Sequence, residues 1–261
     1  MTRIDSHAHL LTLITEKKIP ADTLFGDMLY NGVTVCVNVI LSPEEARGRA
    51  MLDAACRDTG ISLFHIAGVH PHDAAKWDGD DSWIRDIAAT IVAIGEVGMD
   101  LHYDFSPPDR QEKVFRRMVE LAIELRKPLV IHGRKAEGRI FDMLSEYEEM
   151  DDRVLFHCYT GDVATARRIF DRNWSISLPG ILTFPDAEEM REVLMMAPAG
   201  QICFETDSPY LSPVPHRGTV NTPAHVTDIY RFAAQLTGLP LPVWEERAQQ
   251  CFERIFGGVT G

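Results

Sequence analysis

Short apolar segments alternate with longer helical patterns along this 261-residue chain. The apolar segments are rich in β-branched residues and almost continuous in hydrophobicity, which is typical of parallel strands buried on both faces. Eight strands are predicted: Arg3–Ser6, Val33–Ile40, Ser62–Gly68, Ile91–Gly95, Pro128–Ile131, Val154–Phe156, Trp174–Ser177 and Ile202–Phe204. Eight alternating strands and helices favour a closed (β/α)8 TIM barrel. The alternative, an open doubly wound sheet, lacks a glycine-rich phosphate-binding turn after the first strand.

The segments between the strands carry helical signals. In residues 111–127 apolar side chains recur at three- and four-residue steps, with charged residues on the other face. Ser42 is the expected cap of another helix, with Pro43 at its first position and Gly60 just past its end. No linker or repeat interrupts the pattern, so we predict one domain over residues 1–261.

Composition limits the function classes. The formal net charge of −13 argues against a broad basic surface for nucleic acid, although a local site remains compatible with it. No apolar run reaches membrane-spanning length and no secretion signal is recognised, so no membrane partner is expected. Five cysteines without a C-x-x-C pair indicate thiols in a reducing compartment. We therefore predict a cytoplasmic protein.

Histidines and carboxylates are concentrated at the ends of the predicted strands. Seven of the ten histidines lie on or just after a strand: His7, His9, His65, His70, His72, His132 and His157. Four carboxylates follow strands in the same way: Glu96, Asp100, Glu205 and Asp207. Because the chemistry of an α/β barrel occupies the C-terminal ends of its strands, these side chains are expected to meet there.

Imidazole and carboxylate ligands without a thiolate suit zinc, manganese or iron, and a carboxylate-rich site also admits magnesium. Four histidines with a glutamate and an aspartate exceed the needs of one tetrahedral ion, whereas two ions about 3.5–4 Å apart, bridged by a carboxylate, would use them all. Side chains at positions i and i+2 of a strand point to the same side. His7 and His9 are therefore interpreted as two ligands of a first metal.

The order of the motifs resembles that of the TatD-like metal-dependent hydrolases. The motifs are DSHAHL, GVHPH, GEVGMD, RQEKVF, VIHGRKA, FHCYTG, SLPGILTF and ETDSPYLSPVPHRGTVN, spread over residues 5 to about 223. These α/β-barrel enzymes of the amidohydrolase superfamily are usually described as 3′-to-5′ exonucleases or DNases. The resemblance implies a 3′-to-5′ exodeoxyribonuclease that uses two divalent metal ions (Mg, Mn or Zn). Its implied partner is DNA, single-stranded or at 3′ ends, as substrate.

The family pattern also implies roles for individual residues. It implies six metal ligands: His7, His9, Glu96, His132, His157 and Asp207. Glu96 would bridge the two ions, and Asp207 would take the proton from the attacking water. Two roles stay open for Glu205, which would either assist proton transfer or hold a ligand from behind. Asp100 is open between orienting a ligand and a turn role, and His65 is expected to be structural or to support a ligand.

Four residues are candidates for substrate contact. Arg134 and Arg217 lie beside ligand motifs and could form bidentate bonds to phosphate oxygens, the alternative being surface ion pairs. His70 either touches substrate or serves the turn. Tyr210 either stacks on a base or packs against the protein.

The chain departs from the family where Gly133 and Lys135 replace a serine and an aspartate. These changes remove no predicted ligand, but they bear on the substrate. A dinuclear hydrolase acting on a small ester, amide or lactone is therefore the alternative function. A metal-binding protein without turnover is a third.

Overall fold

The computed structural model describes residues 2–150 and 152–257. It contains one sheet of eight parallel strands joined in chain order. The strands are β1 (Arg3–Ala8), β2 (Val33–Ile40), β3 (Ser62–Ala67), β4 (Ala93–Asp100), β5 (Leu129–Arg134), β6 (Val154–His157), β7 (Ser175–Leu178) and β8 (Ile202–Phe204). The sheet forms a nearly closed barrel surrounded by helices, so the predicted (β/α)8 fold is confirmed.

Helices follow the strands around the barrel. The α-helices of the described residues are α1 (Leu10–Thr15), α2 (Ala21–Tyr30), α3 (Pro43–Cys56), α4 (Ser82–Asp86), α5 (Pro108–Leu125), α6 (Glu137–Leu144), α7 (Val163–Asp171), α8 (Glu188–Met196), α9 (Val226–Thr237) and α10 (Leu241–Phe256). Short 3-10 turns cover Pro71–Asp73, Ala88–Thr90, Glu148–Met150, Gly180–Thr183 and Pro223–His225. None of these helices has the length and apolar character needed to cross a membrane.

Local sequence signals explain where α3 begins and ends. The Ser42 side chain accepts a hydrogen bond from the backbone N–H of Glu45, and Pro43 occupies the first turn, where its missing N–H costs nothing. The predicted start is thus confirmed. The helix ends at Cys56, earlier than the expectation based on Gly60, because Arg57 leaves the helical conformation.

Five strands extend further at their C-terminal ends than predicted. These strands continue to Ala8 (β1), Asp100 (β4), Arg134 (β5), His157 (β6) and Leu178 (β7). The parallel ladder is maintained through the polar ends of β4, β5 and β6, where Gly98 pairs with His132, and His132 with His157. For β1, β4, β5 and β6 the predicted strand ends were wrong because side chains needed at the barrel mouth look, in the sequence, like the start of a loop.

The barrel closes between β8 and β1 through short contacts. Ala8 forms a bridge with Ser208, and the N–H of His9 donates to the carbonyl of Ser208 (2.8 Å). The buried carboxylate of Asp5 accepts bonds from the N–H (2.8 Å) and the hydroxyl (2.6 Å) of Thr206. These bonds form a seam that fixes the ends of both strands.

Candidate metal centre

A cavity of about 590 Å³ lies at the C-terminal ends of the strands. Its walls come from the loops after most of the strands, which is where α/β barrels place their active sites. Of the six predicted ligands, five line the cavity directly: His9, Glu96, His132, His157 and Asp207. His7 lies just beneath them and is fully buried.

Glu96 occupies the middle of the cluster and directs its two oxygens to different histidines. Its Oε1 lies 3.4 Å from Nε2 of His9 and 3.7 Å from Nε2 of His7. Its Oε2 lies 2.7 Å from Nε2 of His157 and 3.2 Å from Nδ1 of His132. One carboxylate thus faces two pairs of imidazoles.

Asp207 joins His7 and His9 in what we call the first group of possible ligands. Its Oδ1 lies 3.3 Å from Nε2 of His9 and 3.9 Å from Nε2 of His7. Its backbone N–H donates to the carbonyl of His7 (3.0 Å), and its φ of 51° is left-handed, a conformation that aspartate and asparagine tolerate better than most residues. Two groups, His7–His9–Asp207 and Glu96–His132–His157, have the donor spacing of metal sites.

The electrostatics of the cluster suit a cation. Burial opposes ionisation of Glu96, but the surrounding histidines hold its pKa well below the ordinary value. Burial and the neighbouring His157 ring lower the pKa of His7. Both ring nitrogens of His7 are buried without a hydrogen-bond partner among the described residues. A buried, neutral imidazole facing carboxylates with an unused nitrogen fits a metal ligand, because an unsatisfied buried polar atom is otherwise costly.

Glu205 supports His157 from behind. It is fully buried, does not line the cavity, and one of its oxygens lies 3.3 Å from Nδ1 of His157. The hydroxyl of Ser177 donates to its other oxygen. With Nδ1 donating to Glu205, His157 presents Nε2 to the cavity. Of the two roles considered for Glu205, this geometry favours holding a ligand.

Asp100 holds His132 in a similar way. Its Oδ2 lies 3.1 Å from Nε2 of His132 and 2.9 Å from Nε2 of His72. Hydrogen bonds from neighbouring groups lower the pKa of Asp100, although burial opposes this. The side-chain amide of Gln111 accepts from the N–H and donates to the carbonyl of Asp100, which fixes its position. The orienting role considered for Asp100 is the one that this geometry favours.

His70 lies beside the second group, Glu96–His132–His157, and points a hydrogen-bond donor towards it. Its Nδ1 accepts from the backbone N–H of His72 (3.1 Å), so the neutral ring carries its hydrogen on Nε2. That nitrogen lies 3.3 Å from Nδ1 of His132 and 3.7 Å from Oε2 of Glu96. Burial lowers the pKa of His70 well below the ordinary value, which keeps the ring neutral.

The structure separates the other three substrate candidates. Arg134 lines the cavity. Tyr210 lines it as well and is half exposed, with its ring centroid 6.1 Å from that of His9. Arg217 does not line the cavity; its guanidinium stacks 4.0 Å above the ring of Phe184. Arg217 is thus near the ligand motifs in sequence but not in the cavity wall, although Asp207, Tyr210 and Leu211 of the same loop line the cavity.

Two further residues support the site. The sequence indicated no role for Asn38 and left two roles open for His65. Asn38 accepts a hydrogen bond from the N–H of Leu10 (3.0 Å), directly after His9, and its Nδ2 lies 3.2 Å from Nδ1 of His65. The other nitrogen of His65 lies 2.8 Å from Asp53. Of the two roles considered for His65, this geometry favours an indirect support, through Asn38, of the residue that follows His9. The signal for Asn38 was present, since it interrupts an otherwise apolar strand.

Comparisons with known proteins agree with this geometry. The family model of the TatD-related DNases matches residues 4–257. A metal-dependent hydrolase of Escherichia coli K12, YcfH, is 33% identical over 98% of this chain and 96% of its own length. A protein of Cronobacter sakazakii named 3′-5′ ssDNA/RNA exonuclease TatD is 35% identical over 70% of this chain and 72% of its own length.

The fold is shared with solved structures of the same kind. YJJV, a TatD homologue from Escherichia coli K12, superposes with a TM-score of 0.85 at 21% identity, covering 98% of both chains. The predicted family is confirmed, and with it the predicted class of enzyme, a metal-dependent hydrolase. The chain belongs to the TatD-related DNase family.

Proposed function

We propose that this protein is a 3′-to-5′ exonuclease that hydrolyses single-stranded DNA with two divalent metal ions. The observation that carries the proposal is the position of Glu96, whose two oxygens face two separate pairs of histidines. A bridging carboxylate between two ligand groups is the arrangement expected of a two-ion hydrolytic site.

In this proposal the ligands divide between two ions. His7, His9 and Asp207 would hold the first ion, and His132 and His157 the second. Glu96 would bridge them. Magnesium, manganese and zinc all match nitrogen and oxygen donors without thiolate. When bound, the ions would supply an activated water and neutralise charge on the phosphoryl oxygens.

The chain's own residues would handle the proton and the phosphate. Asp207 would accept a proton from the attacking water, because it is the ligand of the first group that faces the cavity as a carboxylate. Arg134 has no ion pair with any described residue, which leaves its guanidinium available for a phosphate oxygen. His70 would donate from Nε2 to the same phosphate. Glu205 and Asp100 would keep two ligand rings oriented.

Family membership and the named Cronobacter relative support a nucleic acid substrate. A cavity of about 590 Å³ is in the range of small-ligand sites, so it suits the end of a strand better than a duplex. For this reason we propose removal of nucleotides from an end. The cytoplasmic location stays a prediction.

A second candidate has one observation in its favour. Among the described residues lining the cavity, Arg134 is the only lysine or arginine, whereas Glu45 and Asp73 add carboxylates beyond the proposed ligands. Such a lining attracts a polyanion weakly. The second candidate is hydrolysis of a small ester, amide or lactone at the same two-ion site.

The test is a nuclease assay on single-stranded DNA labelled at its 5′ end, with magnesium or manganese. Asp207→Asn and a chelator serve as negative controls, and asparagine suits the left-handed backbone at this position. Stepwise shortening from the 3′ end, lost in both controls, is the expected result. An enzyme that holds two ions yet cleaves no DNA, while hydrolysing a small aryl ester, would replace the proposal with the second candidate.

A further inference from the structure

Two aromatic side chains stand exposed on the loop between β4 and α5. The side chain of Tyr103 is 44% exposed and that of Phe105 is 62% exposed. Their ring centroids lie 5.5 Å apart. Adjacent exposed aromatic rings at the edge of a cavity indicate a binding surface, since isolated apolar side chains are common on a protein surface but clusters are not.

The loop that carries these rings is held firmly. Oδ1 of Asp100 accepts hydrogen bonds from the backbone N–H groups of His102 (2.9 Å) and Tyr103 (3.0 Å). The buried side chain of Gln111 donates to the carbonyls of Asp100 and Ser106. The backbone that carries the rings is therefore already ordered before a ligand binds. This order lowers the conformational entropy that the loop loses on binding.

The same loop is connected to the candidate metal centre. Oδ2 of Asp100 faces His132, a proposed ligand, at 3.1 Å. Tyr103 lines the cavity, and the guanidinium carbon of Arg134 lies 4.8 Å from the centre of its ring. Phe105 does not line the cavity and extends the aromatic surface outward. An aromatic ring, with a guanidinium over one of its faces that has no ion pair among the described residues, thus lies next to the proposed site of hydrolysis.

We propose that Tyr103, with Arg134 beside it and Phe105 beyond it, stacks the nucleobases of a single strand entering the cavity. The inference rests on the proposed function. A base offers a flat π face and its nucleotide an adjacent phosphate, which match the ring and the guanidinium. Stacking is tolerant of sequence, so the subsite has no base preference. It also supplies affinity that an acidic cavity cannot gain from charge.

The test compares two single-stranded oligonucleotides of equal length, one ordinary and one with abasic residues at its four 3′-terminal positions. Tyr103→Ala should raise KM for the ordinary strand roughly tenfold, as expected for the loss of one stacked base, with kcat nearly unchanged. KM for the abasic strand should not change. Tyr103→Phe should behave as the parent enzyme. Tyr30→Ala, at a tyrosine 91% exposed just before β2 at the opposite end of the barrel, is the matched control and should leave both values unchanged.

The outcomes separate this inference from the proposed function. If the parent enzyme shortens DNA but Tyr103→Ala keeps the same KM, base stacking is refuted and the exonuclease proposal stands. An equal rise of KM on both strands also refutes stacking, because it shows an effect independent of the base. Tyr103→Leu, which keeps most of the side-chain volume without the π face, should match the alanine variant. If the parent enzyme cleaves neither strand, the proposed function fails and this inference fails with it.

Discussion

The Nε2 atom of His157 lies 2.7 Å from Oε2 of Glu96, while Oε1 of the same carboxylate faces His7 and His9 across the cluster. The two oxygens of Glu96 therefore serve different partners. A substitution of Glu96 should therefore affect metal binding by both ligand groups at the same time.

Glu96→Gln keeps the size of the side chain but removes its charge. We expect the number of bound ions to fall from two to one or none per chain, and turnover to fall by more than about a hundredfold, because ligand support and bridging are both lost. Metal analysis after dialysis and a steady-state rate measure these effects. Glu45→Gln makes the same change elsewhere on the cavity wall and should retain both ions. Two ions per chain in Glu96→Gln would exclude the bridging role.

Asp100→Asn tests the support of His132. Asparagine can still accept the two backbone N–H bonds at Oδ1, but an NH2 group replaces the Oδ2 that faces His132 and His72. An NH2 group donates and cannot accept from Nε2–H of His132, so both the charge and the hydrogen bond that orient this ring are lost. We expect the affinity for one ion to fall about 10- to 100-fold while the other is retained. Calorimetric titration of the chelator-treated protein with manganese resolves the two. Equal weakening of both ions would contradict a role confined to His132.

Gly98 lies in β4 directly beside His132 in β5. A methyl group at this position would lie 2.0 Å from the carbonyl oxygen of His132, and φ is +147°. Gly98→Ala should lower the free energy of unfolding by about 3 kcal/mol or more and weaken metal binding.

In α2, Gly26 has no atom within 4 Å of the methyl group that alanine would add. Gly26→Ala should therefore raise the free energy of unfolding by about 0.5–1 kcal/mol. Urea unfolding measures both changes, and a neutral Gly98→Ala would contradict the close strand packing.

His225 makes stability depend on pH outside the metal centre. Burial and the stacked His216 ring lower the pKa of His225 from 6.5 to about 4. Between these values the unfolded chain binds a proton that the folded protein does not, so the free energy of unfolding falls as pH decreases from 6.5 to 4. Because the ring is only partly buried, we expect a loss of roughly 1–2 kcal/mol.

Urea unfolding at pH 7 and pH 5 measures this loss. His225→Gln should show a smaller difference between the two pH values than the parent protein. His102→Gln, the same change at an exposed histidine, should keep the parent difference. An unchanged difference in His225→Gln would show that the ring titrates equally in both states.

Most of the fold could be predicted because its signals are local. Eight short apolar segments, most of them β-branched, and the Ser42 cap each act over a few residues, and the eight strands and the helix start that they predict are confirmed. The C-terminal ends of five strands could not be located, and for β1, β4, β5 and β6 the reason is that polar residues inside a barrel mouth resemble loop residues. Local patterns do not distinguish the two.

The candidate ligands could be predicted from their order along the chain. For Glu205 and Asp100 the sequence offered support of a ligand as one of two roles, but it could not indicate which ligand each residue supports. Glu205 holds His157 across 48 residues of sequence, and Asp100 holds His132 across 32. Only the closed sheet brings such pairs together. The placement of Arg217 on Phe184, away from the cavity, has the same cause, because a neighbouring motif in sequence is not a neighbour in space.

The first proposed ion would lie across the seam between β1 and β8, so it would affect the closure of the barrel as well as the chemistry. His7 and His9 lie on one side of that seam and Asp207 on the other, some 200 positions later in the chain. An ion shared by these residues would join the first strand to the last, as a cross-link does. Opening of the barrel would then require release of the ion, so metal concentration would set how often β1 and β8 exchange their amide hydrogens with solvent.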